Sequence, residues 1–450
     1  MTNLGAPLIV GFGVTSRAVA AALVNRGHVP VVVEDRPTDA HRDAASELGV
    51  RLVESPDDAE LAEIVAAASV LLPSPGIPDH HPIFAVADAA GIQVASEFDL
   101  AQVWDDRPVV AITGTNGKTT VTMMVTDALV NSGKPAEAVG NTDVPFVQSI
   151  ERAETQVFVV EASSFRLAHS ASFRPNVAAW LNFAPDHLDA HASLELYEQA
   201  KASIWEDLVP GAVAVANVDD PVVAKYLERL PADGAEVQTF SITDNAATWR
   251  VDRSGSEPML AGPDGPFIAV AELSRSQPHD LANGLAVAAI AVAAGASLDG
   301  VTETLRTFAG LSHRLEYLGE WNEVSWYNDS KATVPHATLA AVGGFESVVL
   351  IAGGKSKGLS FDPLRDTVPP VRAVVAIGDA ATEIDAVFAD LVPVTKAATM
   401  LEAIHSALSA AVAGDAVVLS PACASFDWYR NYEERGVDFT NLVREKVAQP

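Results

Sequence analysis

The sequence predicts an α/β protein built as three consecutive domains, and three observations carry that expectation. Apolar strands running into glycine-bearing turns and then helices recur along the whole chain, and the pattern starts afresh twice, each time with a different loop. The length of 450 residues suits about three domains at roughly 150 residues each. Hydrophobic residues make up 49% and charged ones 20%, ordinary globular usage that sets aside a disordered or fibrous chain.

Taken in order, the stretch APLIVGFGVTSRAVAAALVNRGHVPVVVEDR reads as strand, glycine turn, helix and a second strand over Val29–Val33 that ends in acidic residues. A helix over Ala59–Ala68 and a strand over Val70–Leu72 follow, and after Ser74-Pro75-Gly76-Ile77 another helix–strand pair ends near Ser96. The first domain is therefore placed at 1–97. Arg107-Pro108 introduces the strand VVAIT, a glycine-rich turn and a helix over Lys118–Ser132, which opens a second domain over 98–310. Its further strands are expected at Val157–Val160, Val177–Leu181 and Val213–Ala216, with hairpins or loop at a sheet edge over Asp244–Gly265 and an Ala-rich helix after Asn283. In the third domain, 311–450, the predicted strands are Ser325–Tyr327, Val348–Ala352, Ala373–Ile377 and Ala416–Leu419, with helices over His336–Val342 and Thr399–Ala411. No short-period repeat points to a solenoid or propeller.

Charge narrows the ligands. Lys and Arg total 29 against 59 Asp and Glu, and a net charge of -30 repels nucleic acid and anionic lipid, so neither is an expected partner. An anionic ligand must then be captured by local cations and backbone N–H groups. The single cysteine, Cys423, excludes an intramolecular disulfide, disfavours a thiolate zinc site and fits a reducing compartment. The N-terminal segment reads as no secretory signal, and the uncharged run Leu281 to Leu298 reads as a buried helix, so a cytoplasmic protein is expected.

Thr113-Gly114-Thr115-Asn116-Gly117-Lys118-Thr119-Thr120, between an apolar strand and a helix, carries the strongest chemical signal. Such a loop lays backbone N–H groups and a helix N-terminus against phosphate oxygens, aims its Lys at the β- and γ-phosphates and offers a Thr hydroxyl to Mg²⁺. Its spacing is shorter than the usual Walker pattern. Gly11-Phe12-Gly13-Val14-Thr15-Ser16, with Glu34 and Asp35 at the next strand end, is similar to a dinucleotide fingerprint but has Ser16 in place of the third glycine. Two such loops in successive domains suggest two nucleotide-containing ligands. A nicotinamide-dependent oxidoreductase explains only the first loop, and no guanine-selecting motif supports a non-catalytic nucleotide switch. Glu161, at the end of VFVVE, is placed to hold Mg²⁺. Asp186-His187 can supply a carboxylate or imidazole, whereas Lys201 reads locally as a solvated helix lysine. Further on, His313-Arg314, Asn328-Asp329-Ser330-Lys331-Ala332-Thr333 and Gly353-Gly354-Lys355-Ser356-Lys357-Gly358 gather cations at strand ends, suited to phosphate or a carboxylate-rich substrate. Small residues of the Ser420–Asp427 stretch leave space for a ligand, and nothing near Cys423 suggests a thiolate partner.

The order of these motifs, closing with SPACASFDWYRNYEERG, resembles the Mur ligase family over essentially the whole chain, and within it the D-glutamate-adding ligases. That resemblance implies a Rossmann-like N-terminal domain for a UDP-sugar, a central P-loop ATPase-like domain and a Rossmann-like C-terminal domain for the incoming amino acid. It implies an ATP-dependent ligase that joins D-glutamate to UDP-N-acetylmuramoyl-L-alanine through an acyl phosphate during cytoplasmic peptidoglycan precursor synthesis, acting as a monomer. By motif, Gly114 to Thr120, Asn283, Arg314 and Asp329 are implied to contact ATP. Thr15, Arg36, Ser74, Gly76 and Asn141 serve the UDP-sugar, and Lys331, Thr333, Lys357, Ser425, Phe426 and Tyr432 serve D-glutamate. Lys118, Glu161, His187 and Lys201 are the implied catalytic set. Thr119, Glu161, His187 and a carbamylated Lys201 are implied to hold two Mg²⁺ ions, which reverses the local reading of that lysine. Alignment through Phe361 favours Lys357 over Lys355. The alternatives are a sibling ligase adding another amino acid and a folylpolyglutamate synthase-like ligase. The Gly11–Ser16 loop and the SPGI stretch disfavour the folate reading.

Overall fold

The computed structural model describes residues 4–142, 144–186, 190–231 and 234–447. They form a mixed α/β structure in which contacts separate two compact units, Met1–Leu273 with Ala282–Thr307 and Ser274–Leu281 with Phe308–Pro450.

The first unit holds two sheets. β1 (Pro7–Val10), β2 (Val31–Glu34), β3 (Arg51–Glu54), β4 (Val70–Pro73) and β5 (Gln93–Val94) form an all-parallel sheet in the order β3-β2-β1-β4-β5. The order reverses between β1 and β4, the place where a doubly wound sheet leaves a crevice beyond its strand ends. The loops Gly11–Ser16 and Ser74–Ile77 leave those two strands side by side, with Ser74 N donating to Val10 O at 2.7 Å.

β6 (Val109–Thr113), β7 (Ala136–Gly140), β8 (Val157–Glu161), β9 (Val177–Trp180), β10 (Val213–Asn217), β11 (Glu236–Ser241), β12 (Trp249–Asp252), β13 (Met259–Gly262) and β14 (Gly265–Ala269) make a nine-stranded sheet. Its order is β14-β13-β12-β11-β10-β9-β6-β8-β7. It is parallel as far as β12 and antiparallel through the edge hairpins β12–β14, as the polar Asp244–Gly265 stretch suggested. β6, β8 and β9 are buried along their whole length, as expected of parallel strands covered on both faces. Trp180 on β9 is fully buried against Trp205 and Tyr226, with ring centroids 5.5 and 5.4 Å away. An indole of this kind contributes roughly 4–6 kcal/mol of burial before entropy is subtracted. That anchor fixes the end of β9 beside the glycine-rich turn.

The second unit carries β15 (Glu316–Trp321), β16 (Val324–Asn328), β17 (Val348–Gly353), β18 (Val371–Ile377), β19 (Val394–Ala397) and β20 (Ala416–Leu419), ordered β15-β16-β20-β17-β18-β19. β15 and β16 form an antiparallel hairpin and the rest of the sheet is parallel. The loops after β16, β20 and β17 therefore emerge from adjacent strand ends.

Several expectations needed correction. The Ala-rich helix begins at Pro278, not after Asn283, because the polar first turn Pro278-His279-Asp280 hides its start. The uncharged Leu281–Leu298 run is not one helix: the first ends at Ala293, Gly295 turns with φ +86°, and a second runs over Leu298–Thr307. Among the described residues no helix is long and apolar enough to cross a membrane. β7, β15, β19 and the helix Tyr432–Lys446 lie in stretches given no element above. β15 shows why: Leu318 is its one buried residue, so the segment has almost no hydrophobic pattern.

Candidate active site

The turn after β6 is shaped by its glycines. Gly117 caps the helix Lys118–Asn131 with φ +82°, a conformation that costs other L-residues about 1–2 kcal/mol. A Cβ there would lie 2.9 Å from Asn283 Oδ1, so Asn283 packs directly over the turn. Asn182, just beyond β9, was not expected from sequence. Its Oδ1 accepts from Thr115 N at 3.1 Å and Asn116 N at 2.8 Å, and its Nδ2 donates to Asn116 O at 3.0 Å. One side chain thus reproduces a strand-like pairing and holds the first half of the loop. Thr115 Oγ1 lies 3.2 Å from Tyr197 Oη, which ties the same loop to the helix Leu194–Ala202.

Two lysines converge on one carbonyl. Lys118 Nζ donates to Gly114 O at 2.8 Å and Thr115 O at 3.0 Å, while Lys201 Nζ donates to Gly114 O at 2.8 Å. Lys201 is 1% exposed, so the local reading of a solvated helix lysine is wrong. The helix turns Tyr197 and Lys201, one turn apart, toward the loop, and Nζ sits 4.6 Å from the Tyr197 ring. Burial first, and the Lys118 charge second, push this amine well below the ordinary lysine range. Burial therefore favours the uncharged form of this amine relative to an exposed lysine.

Glu161 ends β8 next to β6. Its Oε1 accepts from Asn141 Nδ2 at 2.9 Å, whereas its buried Oε2 has no hydrogen-bond partner among the described residues. A carboxylate oxygen left so carries a cost that a hard cation would remove, and oxygen donors suit Mg²⁺. Glu161 fits that ion. Asp186 is buried and adds favourable charge near Lys201, while His187 lies outside the described residues. Among the described residues no group of three or more His, Cys, Asp and Glu side chains is arranged to hold a metal ion.

At the first loop Glu34 is consumed by the turn itself: its Oε2 accepts from Phe12 N at 2.8 Å and its Oε1 from Arg36 N at 3.0 Å. Asp35 Oδ2 faces His81 Nε2 at 2.8 Å. Thr15 Oγ1 accepts from Arg166 Nη2 at 3.0 Å, so Thr15 and Asn141 meet through a residue that no motif singled out. Ser74 and Gly76 lie in the neighbouring loop after β4.

In the second unit the three loops at the ends of β16, β20 and β17 come together. Asp329 is buried, with Oδ1 accepting from Leu315 N at 3.1 Å and Oδ2 from Ser420 Oγ at 2.7 Å. Burial pushes its carboxyl up to about 7, against the pull of those donors and of Arg314. Lys331 Nζ lies 4.9 Å over the Tyr432 ring, and Lys357 Nζ donates to Thr333 Oγ1 at 3.2 Å. Lys355 pairs instead with Asp379 at 3.2 Å, which leaves Lys357 as the lysine beside Thr333. Ser425 is buried and Phe426 is 71% exposed. The buried Arg435, also unforeseen, laces two of the loops, donating to Ser330 O at 2.7 Å, Cys423 O at 3.1 Å and Ala424 O at 3.3 Å. Burial pushes the Cys423 thiol up to about 12, consistent with an inert residue.

Comparison with known proteins gives the same family twice over. The Mur ligase middle domain matches residues 112–291, and the Mur ligase glutamate ligase domain matches residues 313–423. UDP-N-acetylmuramoylalanine–D-glutamate ligase of Shouchella clausii is 36% identical, with 97% of this chain and 96% of the relative covered. The protein of the same name from Frankia casuarinae is 38% identical, with 98% and 94% covered. Among solved structures, MurF from Acinetobacter baumannii aligns with a TM-score of 0.61 at 18% identity, covering 98% of this chain and 92% of its own. A pseudomurein peptide ligase type C from Methanothermus fervidus gives 0.60 at 18% identity, covering 98% and 99%. These last two show the shared fold. With the phosphate loop, the buried lysine and the near-full-length relatives agreeing, the chain belongs to the Mur ligase family.

Proposed function

We propose that this protein is the ATP-dependent ligase that joins D-glutamate to UDP-N-acetylmuramoyl-L-alanine, a cytoplasmic step of peptidoglycan precursor synthesis, and that it acts as a monomer. The observation that carries the reading is the meeting of Lys118 and Lys201 on the Gly114 carbonyl at the phosphate loop. The names of the near-full-length relatives supply the substrate class. We assign the UDP-sugar to residues 1–97, ATP to 98–310 and the amino acid to 311–450.

In this scheme the alanyl carboxylate oxygen attacks the γ-phosphorus of ATP, the bond from that phosphorus to the β–γ bridging oxygen breaks, and ADP leaves. The D-glutamate nitrogen then attacks the acyl-phosphate carbonyl carbon, loses a proton, and expels phosphate to leave the amide. Lys118 and the helix N-terminus behind Gly117 bind the phosphates, with Thr119 and Thr120 in the first turn and Asn283, Arg314 and Asp329 completing the ATP contacts. Thr15, Arg36, Ser74, Gly76 and Asn141 position the UDP-sugar acid. Lys331, Thr333, Lys357, Ser425, Phe426 and Tyr432 orient D-glutamate, whose two carboxylates need paired cations. Glu161, Thr119 and His187, with Lys201 once carbamylated, are the proposed holders of two Mg²⁺ ions, which when bound neutralise charge on the phosphoryl group. Carbamylation joins the neutral Lys201 nitrogen to the carbon of CO₂ and releases one proton, turning a buried base into an anion. Burial and the Lys118 charge shift the Lys201 amine toward the uncharged form that this addition needs.

The decisive measurement is phosphate release from ATP with UDP-N-acetylmuramoyl-L-alanine and each candidate amino acid in turn. D-glutamate should stimulate it strongly. Stimulation by another amino acid alone would reassign the chain to a sibling reaction.

A further inference from the structure

Arg166 belongs to neither glycine-rich loop, yet it bonds Thr15 in the first and Asn141, which in turn bonds Glu161 beside the second. It sits in the short helix Ser164–Leu167 that follows β8 and is 6% exposed. Its Nη2 donates to Thr15 Oγ1 at 3.0 Å, its Nη1 donates to Asn141 Oδ1 at 3.1 Å, and its Nε lies 2.7 Å from Oε1 of the buried Glu97. Asn141 in turn donates to Glu161 Oε1 at 2.9 Å. A continuous polar chain thus runs from the loop after β1 to the carboxylate at the end of β8.

We propose that Arg166 is a positioning residue that couples occupancy of the loop at Thr15 to the orientation of Glu161 beside the phosphate loop; this deepens the ligase reading and rests on it. The guanidinium is planar and its donors are fixed relative to one another, so a shift at Thr15 that tilts the plane must move the donor serving Asn141. A lysine, with one rotatable point charge, keeps the attraction to Glu97 but cannot hold two acceptors in a set geometry. The guanidinium also borders a small cavity lined by Thr15, Ser16, Glu97 and His169.

The test uses the full-length protein and equilibrium binding. Calorimetry measures the affinity of a non-hydrolysable ATP analogue with and without saturating UDP-N-acetylmuramoyl-L-alanine. In the wild type the two affinities should differ by about fivefold or more, the usual scale of coupling between sites. In Arg166→Lys that ratio should fall to near one, while the ATP analogue alone keeps its affinity within about threefold and kcat falls more than either nucleotide's KM changes. Thr15→Val, which removes one hydroxyl and leaves the Glu97 pair intact, should also abolish the ratio when a separate titration has shown the UDP-sugar site saturated, and it covers the case in which Arg166→Lys fails to fold. A wild-type ratio of one, or a ratio preserved in a folded Arg166→Lys or in Thr15→Val, overturns the proposal. No step of this assay involves D-glutamate, so failure of the D-glutamate assignment shows only in the phosphate-release panel.

Discussion

Replacing Lys201 by Met separates folding from catalysis. The amine makes one hydrogen bond, to Gly114 O, and that carbonyl also accepts from Lys118 at 2.8 Å, so it is not orphaned by the change. The loss is therefore about 0.5–1.5 kcal/mol for a single hydrogen bond, partly offset because a buried polar end is replaced by an apolar one of similar length. For a unit of this size that amounts to a Tm shift of a few degrees at most. Activity should fall much further. In the proposed carbamylated form, Lys201 is a preorganised charged group beside the transferring phosphoryl group, and removing such a group costs about 10²–10³ in kcat, or 2.7–4 kcal/mol. Phosphate release measured with and without millimolar formate or acetate should show that loss and, on the proposed carbamylation, a partial recovery, because a small acid can stand in for the proposed carbamate. Turnover within about threefold of wild type and indifferent to added acids would refute the argument. A Tm drop large enough to account for the lost turnover would refute it too.

The other expectations follow from the same loops. Gly117→Ala forces a side chain into φ +82° and against Asn283 Oδ1, so KM for ATP should rise about tenfold for a cost of 1–2 kcal/mol with D-glutamate dependence unchanged; an unaltered ATP KM contradicts this. Lys357→Ala should raise KM for D-glutamate by about tenfold or more, whereas Lys355→Ala, which breaks an exposed pair with Asp379, should leave it alone. Asp329 makes stability depend on pH. Its folded value of about 7 lies above the ordinary carboxyl value of about 4, so the folded state holds the extra proton between them. Its contribution is fully present below about pH 4 and is lost as pH rises through about 7. Denaturant titrations of wild type and Asp329→Asn across that window should therefore converge at the acid end, and parallel curves would show that the carboxyl does not titrate there.

What the sequence made legible was set by local demands. VVAIT reads as a buried strand because every residue of β6 is covered, and the turn after it needs glycine at the helix start whatever surrounds it. Glu161 could be placed because a strand end beside a phosphate loop is a fixed address in this architecture. Lys201 was half visible. Its position four residues after Tyr197 marks one helix face, but only packing shows that the face points at Gly114 and not at water. Asn182 could not be found this way, since its hold on Thr115 and Asn116 exists only because β9 pairs with β6, strands separated by more than sixty residues.

Arg166 and Arg435 extend that point. Each is an arginine on a helix, a setting in which a sequence reader expects solvent, and each is buried because loops from distant strands close over it. Arg435 donates to three carbonyls from two loops, and Arg166 spans two acceptors and a carboxylate from three parts of the first unit. A planar cation with five donors can organise backbone oxygens and side chains that no apolar residue could satisfy. In a chain with a net charge of -30 such buried guanidiniums also keep positive charge at strand ends, where the proposed phosphate and carboxylate ligands would be received. Motifs reveal the groups that meet a ligand, because chemistry restricts their type and spacing. The arginines that hold those groups in place are restricted only by the fold, and so become visible only once the strands are paired.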